Sequence, residues 1–172
     1  MSEDSITIED LHRLEDDEWL GLLAKLYEHS PWVVQEAVKG RPYPGKKALQ
    51  ARFETIIFGA PQSKQDQLIE AHPDLAAKMD ELAELTDFSQ TEQNRAGFSA
   101  LPEEIFETLR ETLAIYKEKF GHPFILCVSE HKAFDVLPIL TQRLQGSENA
   151  ERIACLAQIA RIGWHRLDSI IS

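Results

Sequence analysis

The stretch PEEIFETLRETLAIYKEKFG, residues 102–121, carries the clearest structural pattern in the chain. Its apolar residues recur every three or four positions, the spacing that places them on one face of an α-helix. They are Ile105, Phe106, Leu109, Leu113, Ile115, Tyr116 and Phe120. Gly121 can adopt the left-handed conformation in which many helices end. The stretch therefore predicts a long amphipathic helix that ends at Gly121.

The same spacing recurs on both sides of this helix, interrupted by proline and glycine. It predicts helices over about residues 15–27, 31–38, 46–59, 63–71, 73–79, 88–96, 131–144 and 148–171. Pro138 is expected to kink a helix or to start one. The apolar run over residues 123–128 fits either an extended segment or the start of a buried helix. Because no alternating strand pattern of useful length occurs, we predict an all-α fold of about eight helices.

Length and composition point to one globular domain over residues 1–172. A chain of 172 residues with 43% hydrophobic residues can bury a proper core, and it is short for two domains. We expect an irregular multi-helix domain rather than a regular bundle, because the helices are unequal and proline interrupts them.

Charge and cysteine content limit the classes of binding partner and the cellular compartment that we expect. The formal charge of −11 would repel nucleic acid and anionic membranes, so neither is an expected partner. The two cysteines, Cys127 and Cys155, lie far apart without a CxxC motif, which favours a reducing compartment. The acidic N-terminus lacks the pattern of a signal peptide, and no apolar run approaches the roughly 20 residues that span a bilayer. We expect a cytoplasmic protein.

One histidine stands at a predicted break between helices. The sequence Ala71-His72-Pro73-Asp74-Leu75 places an imidazole directly before proline, which disfavours helical geometry at the preceding residue. Such a side chain can face a ligand, although a packed or capping role is also open. His122 also precedes proline, but chain reversal at Gly121 explains its position.

A second candidate segment follows at residues 89–93. Ser89-Gln90-Thr91-Glu92 matches the capping box, in which Glu92 bonds the serine amide. The alternative is functional: the first-turn amides could bind an anionic or carbonyl-rich ligand while Glu92 orients an imidazole. Both interpretations predict a helix start, and they differ on whether Glu92 faces a pocket.

Cations and metal ligands give weaker signals. Arg161 and Arg166 lie among apolar residues of the last predicted helix, where a surface side chain with a buried stem is usual and anion binding is the alternative. No HExxH motif, cysteine cluster, phosphate loop or GxSxG elbow occurs, so we predict no metal site.

Five ordered motifs together resemble one family. They are Glu28-His29-Ser30-Pro31-Trp32; Ala71-His72-Pro73-Asp74-Leu75; Ser89, Glu92 and Gln93 followed by Ala96-Gly97; Lys119-Phe120-Gly121 leading to Phe124-Ile125; and Arg166-Leu167. With this spacing, residues 14–171 resemble 2-oxo-4-hydroxy-4-carboxy-5-ureidoimidazoline (OHCU) decarboxylase. This family catalyses the last step of urate breakdown to (S)-allantoin.

The resemblance implies specific roles. His72 corresponds to the catalytic histidine, a proton donor, and Glu92 to the catalytic glutamate. Substrate-binding positions are Pro73, Ser89, Gln90, Thr91, Gln93, Phe124, Ile125, Leu126, Cys127, Val128 and Arg166, with Arg161 a weaker candidate than Arg166. The family is α-helical, cofactor-free and typically dimeric, so we expect a homodimer acting on a small molecule. His122 and the residues Gly163-Trp164-His165 depart from the family pattern.

Two other functions remain open at this point. A lyase acting on a related ureide would keep the helix ends and change the polar contacts. A non-enzymatic helical interaction module would be favoured if His72, Glu92 and Arg166 did not converge on one cavity. In the enzyme hypothesis, the helix end before His72 favours imidazolium, the start of the next helix opposes it, and Glu92 tips the balance toward the charged form.

Overall fold

The computed structural model describes residues 5–84 and 97–172, and these form an all-α fold as predicted. The helices are α1 (Ile8–Arg13), α2 (Asp16–Leu23), α3 (Trp32–Val38), α4 (Lys46–Gly59), α5 (Gln62–Ala71), α6 (Leu75–Glu84), α7 (Glu103–Phe120), α8 (Ala133–Leu144) and α9 (Glu148–Ile170). Short 3₁₀ turns occur at Ala24–Leu26, Phe98–Ala100 and Val128–Glu130. Within the described ranges, β pairing is confined to a single parallel bridge between Ile6 and Ile171.

Several predicted helix ends are confirmed, and their local chemistry explains them. α7 begins directly after Pro102 and ends at Gly121, which adopts the left-handed conformation with a φ of 75°. The Gly121 amide donates to the Lys117 carbonyl at 2.8 Å, which satisfies one of the carbonyls that a helix end leaves unpaired. α4 covers the predicted residues 46–59, and α5 starts one residue earlier than predicted.

Other elements differ from the predictions. The helix expected over residues 15–27 ends at Leu23 and continues as a 3₁₀ turn. α1 was not predicted; its N-cap is Thr7, whose hydroxyl accepts from the Asp10 amide at 3.1 Å. Of the two expectations for Pro138, a kink or a helix start, its place inside α8 excludes the start. The helix expected over residues 88–96 lies outside the described residues.

The described chain folds into two compact units. The first consists of Met1–His72 and Leu156–Ser172, and the second of Pro73–Cys155. In the first unit, α3 packs against both α2 and α4. Its core is formed by large side chains with almost no exposed surface, among them Leu11, Trp19, Leu23, Val33, Leu49, Phe53, Ile57, Leu68, Ile69 and Leu167.

The core of the second unit forms around α7. α6 and α8 both pack against this helix. The buried cluster contains Leu75, Met79, Phe98, Leu101, Leu109, Leu113, Tyr116, Phe124, Leu126, Val136 and Leu140. Leu109, Leu113 and Tyr116 are thus on the buried face that the spacing predicted, whereas Ile115 is exposed.

Two further observations bear on the composition. Cys127 and Cys155 are both buried, and neither forms a disulfide within the described residues. Among the described helices, none combines the length and the apolar character needed to cross a bilayer.

Candidate active site

His72 lies at the C-terminal end of α5, at the helix break that the sequence predicted. Its backbone is extended, with φ −72° and ψ 141°, because Pro73 disfavours helical geometry in the residue before it. Its amide donates to the Ile69 carbonyl at 3.2 Å. The imidazole is half-buried, while Pro73 is exposed. The chain therefore presents His72 from a helix end and not from a regular helical face.

The surroundings of His72 favour the neutral imidazole. Burial and the positive charge of Arg166 lower the pKa of His72 to about 4, and the negative charge of Glu28 only partly opposes them. At neutral pH the ring is therefore uncharged. The described surroundings therefore favour the neutral ring. The expected imidazolium depended on Glu92, which lies outside the described residues, so the effect of Glu92 stays a prediction.

Arg166 reaches from α9 to the turn that follows α2. Its Nη1 donates to the carbonyls of Lys25 and Leu26, at 3.2 and 3.1 Å. Its Nη2 lies 3.2 Å from Oε1 of Glu28, and 31% of the arginine side chain remains exposed. These three contacts hold the guanidinium at a position from which its charge acts on His72, and they leave the side chain partly exposed to solvent.

Glu28 was missed as a site residue by sequence reasoning. In the structure it pairs with Arg166 and influences the pKa of His72. His29 adopts a left-handed backbone with a φ of 58°, and the Ser30 amide donates to the Tyr27 carbonyl at 3.0 Å. This turn directs Glu28 toward Arg166. Membership of Glu28 in the first family motif was the available signal.

Tyr27 explains one departure from the family pattern. A Cβ added at Gly163 would lie 2.6 Å from the Tyr27 hydroxyl and 2.8 Å from its ring. Gly163 in α9 therefore makes room for the buried tyrosine. The Tyr27 hydroxyl is buried without a hydrogen-bond partner among the described residues. Burial, together with the charge of Glu54, raises the pKa of Tyr27 against the effect of Arg166, so the hydroxyl stays protonated.

Residues 124–128 belong to the second unit and form neither a regular helix nor a strand. Phe124, Ile125, Leu126 and Cys127 are buried, and Val128 is half-buried and opens a 3₁₀ turn. Of the two expected alternatives for this run, the structure excludes the buried helix, and an extended segment without strand pairing stays open. The Phe124 ring meets Tyr116 edge-on, with centroids 5.1 Å apart.

The structure therefore places the predicted residues in three groups. His72 and Arg166 lie together in the first unit, and residues 124–128 lie in the second. Residues 89–93, including Ser89, Gln90, Thr91, Glu92 and Gln93, lie outside the described residues, so their expected roles remain predictions.

The two weaker candidates have other surroundings. His122 lies 5.9 Å from the Phe120 ring and 5.6 Å from the Tyr116 ring, between centroids. Its Nδ1 is 2.9 Å from the Pro123 carbonyl. Arg161 is exposed on α9. Within either unit, the described residues contain no cluster of three histidine, cysteine or carboxylate side chains suited to a metal ion.

Comparison with known proteins decides the family. The family model described as OHCU decarboxylase matches residues 12–168. The chain belongs to the OHCU decarboxylase family. The resemblance drawn from five motifs is thus confirmed.

Two relatives illustrate the match to OHCU decarboxylases along the whole chain. The 2-oxo-4-hydroxy-4-carboxy-5-ureidoimidazoline decarboxylase of Haloferax volcanii is 32% identical, over 94% of this chain and 94% of its own length. The mouse protein of the same name is 28% identical, over 94% of this chain and 90% of its own.

Solved structures share the fold. A crystal structure of (S)-allantoin synthase superposes with a TM-score of 0.75 at 28% identity, covering 96% of this chain; the chain spans 54% of that protein. A crystal structure of an OHCU decarboxylase in the presence of (S)-allantoin gives a TM-score of 0.66 at 18% identity, covering 91% of this chain and 97% of its own. The second likeness supports the fold alone.

Proposed function

We propose that this chain is a carboxy-lyase that converts OHCU to (S)-allantoin, the last step of urate degradation. Family membership supports the reaction. The observation that supports the site is a neutral His72 under the charge of Arg166, an arginine that Glu28 and two carbonyls hold in place. An anion-binding group beside a titratable ring suits a reaction that removes a carboxylate and delivers a proton.

The substrate's own ring system can take up the electrons of the broken bond. When the bond from C4 to the carboxylate breaks, carbon dioxide leaves and the electron pair moves into the ring imine, which gives an enol-type intermediate. A proton then adds to the ring carbon that bears the ureido group, where the stereocentre of allantoin forms, while the C4 hydroxyl becomes the carbonyl and its proton goes to the ring nitrogen. Because the ring accepts the charge, the reaction can proceed without an electron-sink cofactor.

Substrate binding can charge His72 for this step. The charge of Arg166 lowers the pKa of the imidazole in the free protein. A substrate carboxylate bound to Arg166 would offset that charge and place an anion near the ring, and both effects raise the pKa of His72. The ring would then take a proton from water and deliver it to one face of the intermediate.

The remaining roles follow from the resemblance. Glu92 would orient His72 and the substrate, and residues 89–93 would offer amides and side chains to its polar groups. Residues 124–128 would read the ring through backbone groups, and Pro73 would line the site. General acid catalysis contributes about 10²- to 10⁴-fold, so positioning and electrostatic stabilisation must supply the rest of the acceleration.

We also propose a cofactor-free homodimer in the cytoplasm. The chemistry above needs no electron sink, and two buried cysteines that form no disulfide within the described residues suit a reducing compartment. Large apolar side chains at the surface, among them Phe134 with 55% and Ile115 with 53% exposed, are compatible with a subunit interface.

The assignment can be tested with two arginine variants of the same helix. The wild-type protein should consume freshly generated OHCU well above the uncatalysed rate. Arg166→Gln should raise KM about tenfold or more, because it removes a charged hydrogen bond to the substrate. Arg161→Gln, which changes an exposed arginine one turn and a half away, should keep both constants near wild type.

Two results would contradict the proposal. If folded protein consumed OHCU no faster than the protein-free blank, the proposed reaction would be rejected. The remaining functions would then be a lyase acting on a related ureide or a non-enzymatic interaction module. Equal effects of Arg166→Gln and Arg161→Gln would reject the role of Arg166.

A further inference from the structure

The second unit contains a buried ion pair that the proposed reaction does not use. Arg143 on α8 pairs with Glu151 on α9, and their side chains are only 14% and 3% exposed. Two charges removed from water to this degree carry a large desolvation cost, which a single contact does not repay. Further hydrogen bonds connect Glu151 to Tyr116 and Arg143 to Ile125.

Glu151 is fixed from two directions. Its Oε1 accepts from the Tyr116 hydroxyl at 2.5 Å and from Nε of Arg143 at 2.8 Å, and Nη2 of Arg143 also donates to it. Tyr116 is itself buried on α7. α7, α8 and α9 therefore meet at one carboxylate, which orients the guanidinium with little freedom.

The other side of Arg143 faces residues 124–128. Its Nη1 donates to the Ile125 carbonyl at 2.6 Å, and its guanidinium carbon lies 4.4 Å from the centroid of the Phe124 ring. The residues around Ile125 form no helix or strand ladder, so a buried carbonyl there needs a partner from elsewhere. Arg143 supplies it, and it also stacks on the neighbouring side chain.

The charge on Arg143 persists despite its burial. Burial opposes the charged form, but the hydrogen bond to Glu151 and the charges of its surroundings outweigh it and raise the pKa of Arg143. The guanidinium thus stays a donor at every pH at which the protein is folded. A buried pair of this kind is weak evidence for stability, since apolar replacements are often as stable, and conformational specificity is a better-supported use.

We propose that Arg143 is a positioning residue for the substrate: fixed by Glu151 and Tyr116, it sets the backbone of residues 124–128 in the geometry that reads the OHCU ring. The inference rests on the proposed function, because only that function makes OHCU the ligand of residues 124–128. It adds three residues from outside the predicted site, none of which touches the substrate.

Arg143→Lys and Glu151→Gln test the proposal, with Arg110→Lys as the matched control. Arg110 lies in the same unit and makes an ion pair with Asp80 at 2.7 Å, but its side chain is 30% exposed. Both test variants should raise KM for OHCU about tenfold and lower kcat less than threefold, because the loss falls on binding geometry. Arg110→Lys should leave both constants within twofold of wild type.

A milder variant covers the risk that the buried changes unfold the protein. Tyr116→Phe keeps the ring and removes one donor to Glu151, and it should raise KM about threefold while amide exchange quickens at residues 124–128. The proposal is overturned if the folded variants keep the wild-type KM, or if kcat alone falls. Inactive wild-type protein would instead reject the proposed function, so the two failures are distinguishable.

Discussion

The half-buried imidazole of His72 is the group to which the proposed mechanism assigns proton transfer. The helix break at His72 was predictable from the sequence, because Pro73 imposes it whatever packs around the histidine. Its charge state was not predictable. The pKa depends on burial and on Arg166 and Glu28, which lie far from it along the chain and approach it only in the folded unit.

The pKa of His72 gives a direct test at this scale. In the free protein the ring should titrate near pH 4, so that it is neutral above this pH and charged below it. Arg166→Gln should raise this pKa by about one pH unit, and Glu28→Gln should lower it, because each removes one of the charges that act on the ring. NMR titration of the ring protons measures it, with His72→Asn identifying the signal.

The result would contradict the described electrostatics in two cases. One is a wild-type pKa at the ordinary value for histidine. The other is a pKa that neither variant changes.

At the scale of elements, the helix boundaries set by proline and glycine were the most predictable feature. α4, α5 and α7 begin and end within one residue of the predicted positions, since Pro61, Pro102 and Gly121 act through local geometry. Two features were not predictable: the change from α-helix to a 3₁₀ turn after Leu23, and the backbone conformation of residues 124–128. Both depend on tertiary contacts, and periodicity does not distinguish a short buried run from a helix.

Gly163 within α9 provides a test of element packing. Alanine normally stabilises a helix interior by up to about 1 kcal/mol relative to glycine. At Gly163 the new methyl group would lie 2.6 Å from the Tyr27 hydroxyl. We expect Gly163→Ala to destabilise the protein by about 1–3 kcal/mol, the usual cost of overpacking.

Gly21 in α2 is the matched control for this substitution, because a Cβ there has no neighbour within 4 Å. Gly21→Ala should stabilise the protein by about 0.5–1 kcal/mol. Urea unfolding measures both changes. Equal stabilisation by the two substitutions would show that Tyr27 does not occupy the space beside Gly163.

At the scale of the whole molecule, the spacing of apolar residues predicted the all-α fold, and the family motifs predicted the reaction. The site was predicted less completely. Glu28 was missed because its role arises from an ion pair with a residue far away in sequence, Arg166. The network of Arg143, Glu151 and Tyr116 was missed for the same reason, since no local pattern marks three side chains that meet from different helices.

The central claim is that this chain forms (S)-allantoin by proton delivery from His72. The most direct measurement is the circular dichroism of the allantoin produced from freshly generated OHCU, with wild-type protein, with His72→Asn and with no protein. We expect an excess of the S enantiomer with the wild-type protein. With His72→Asn we expect racemic allantoin, formed at the rate of the protein-free blank. Racemic product from the wild-type protein, or an equal S excess from folded His72→Asn, would contradict the account.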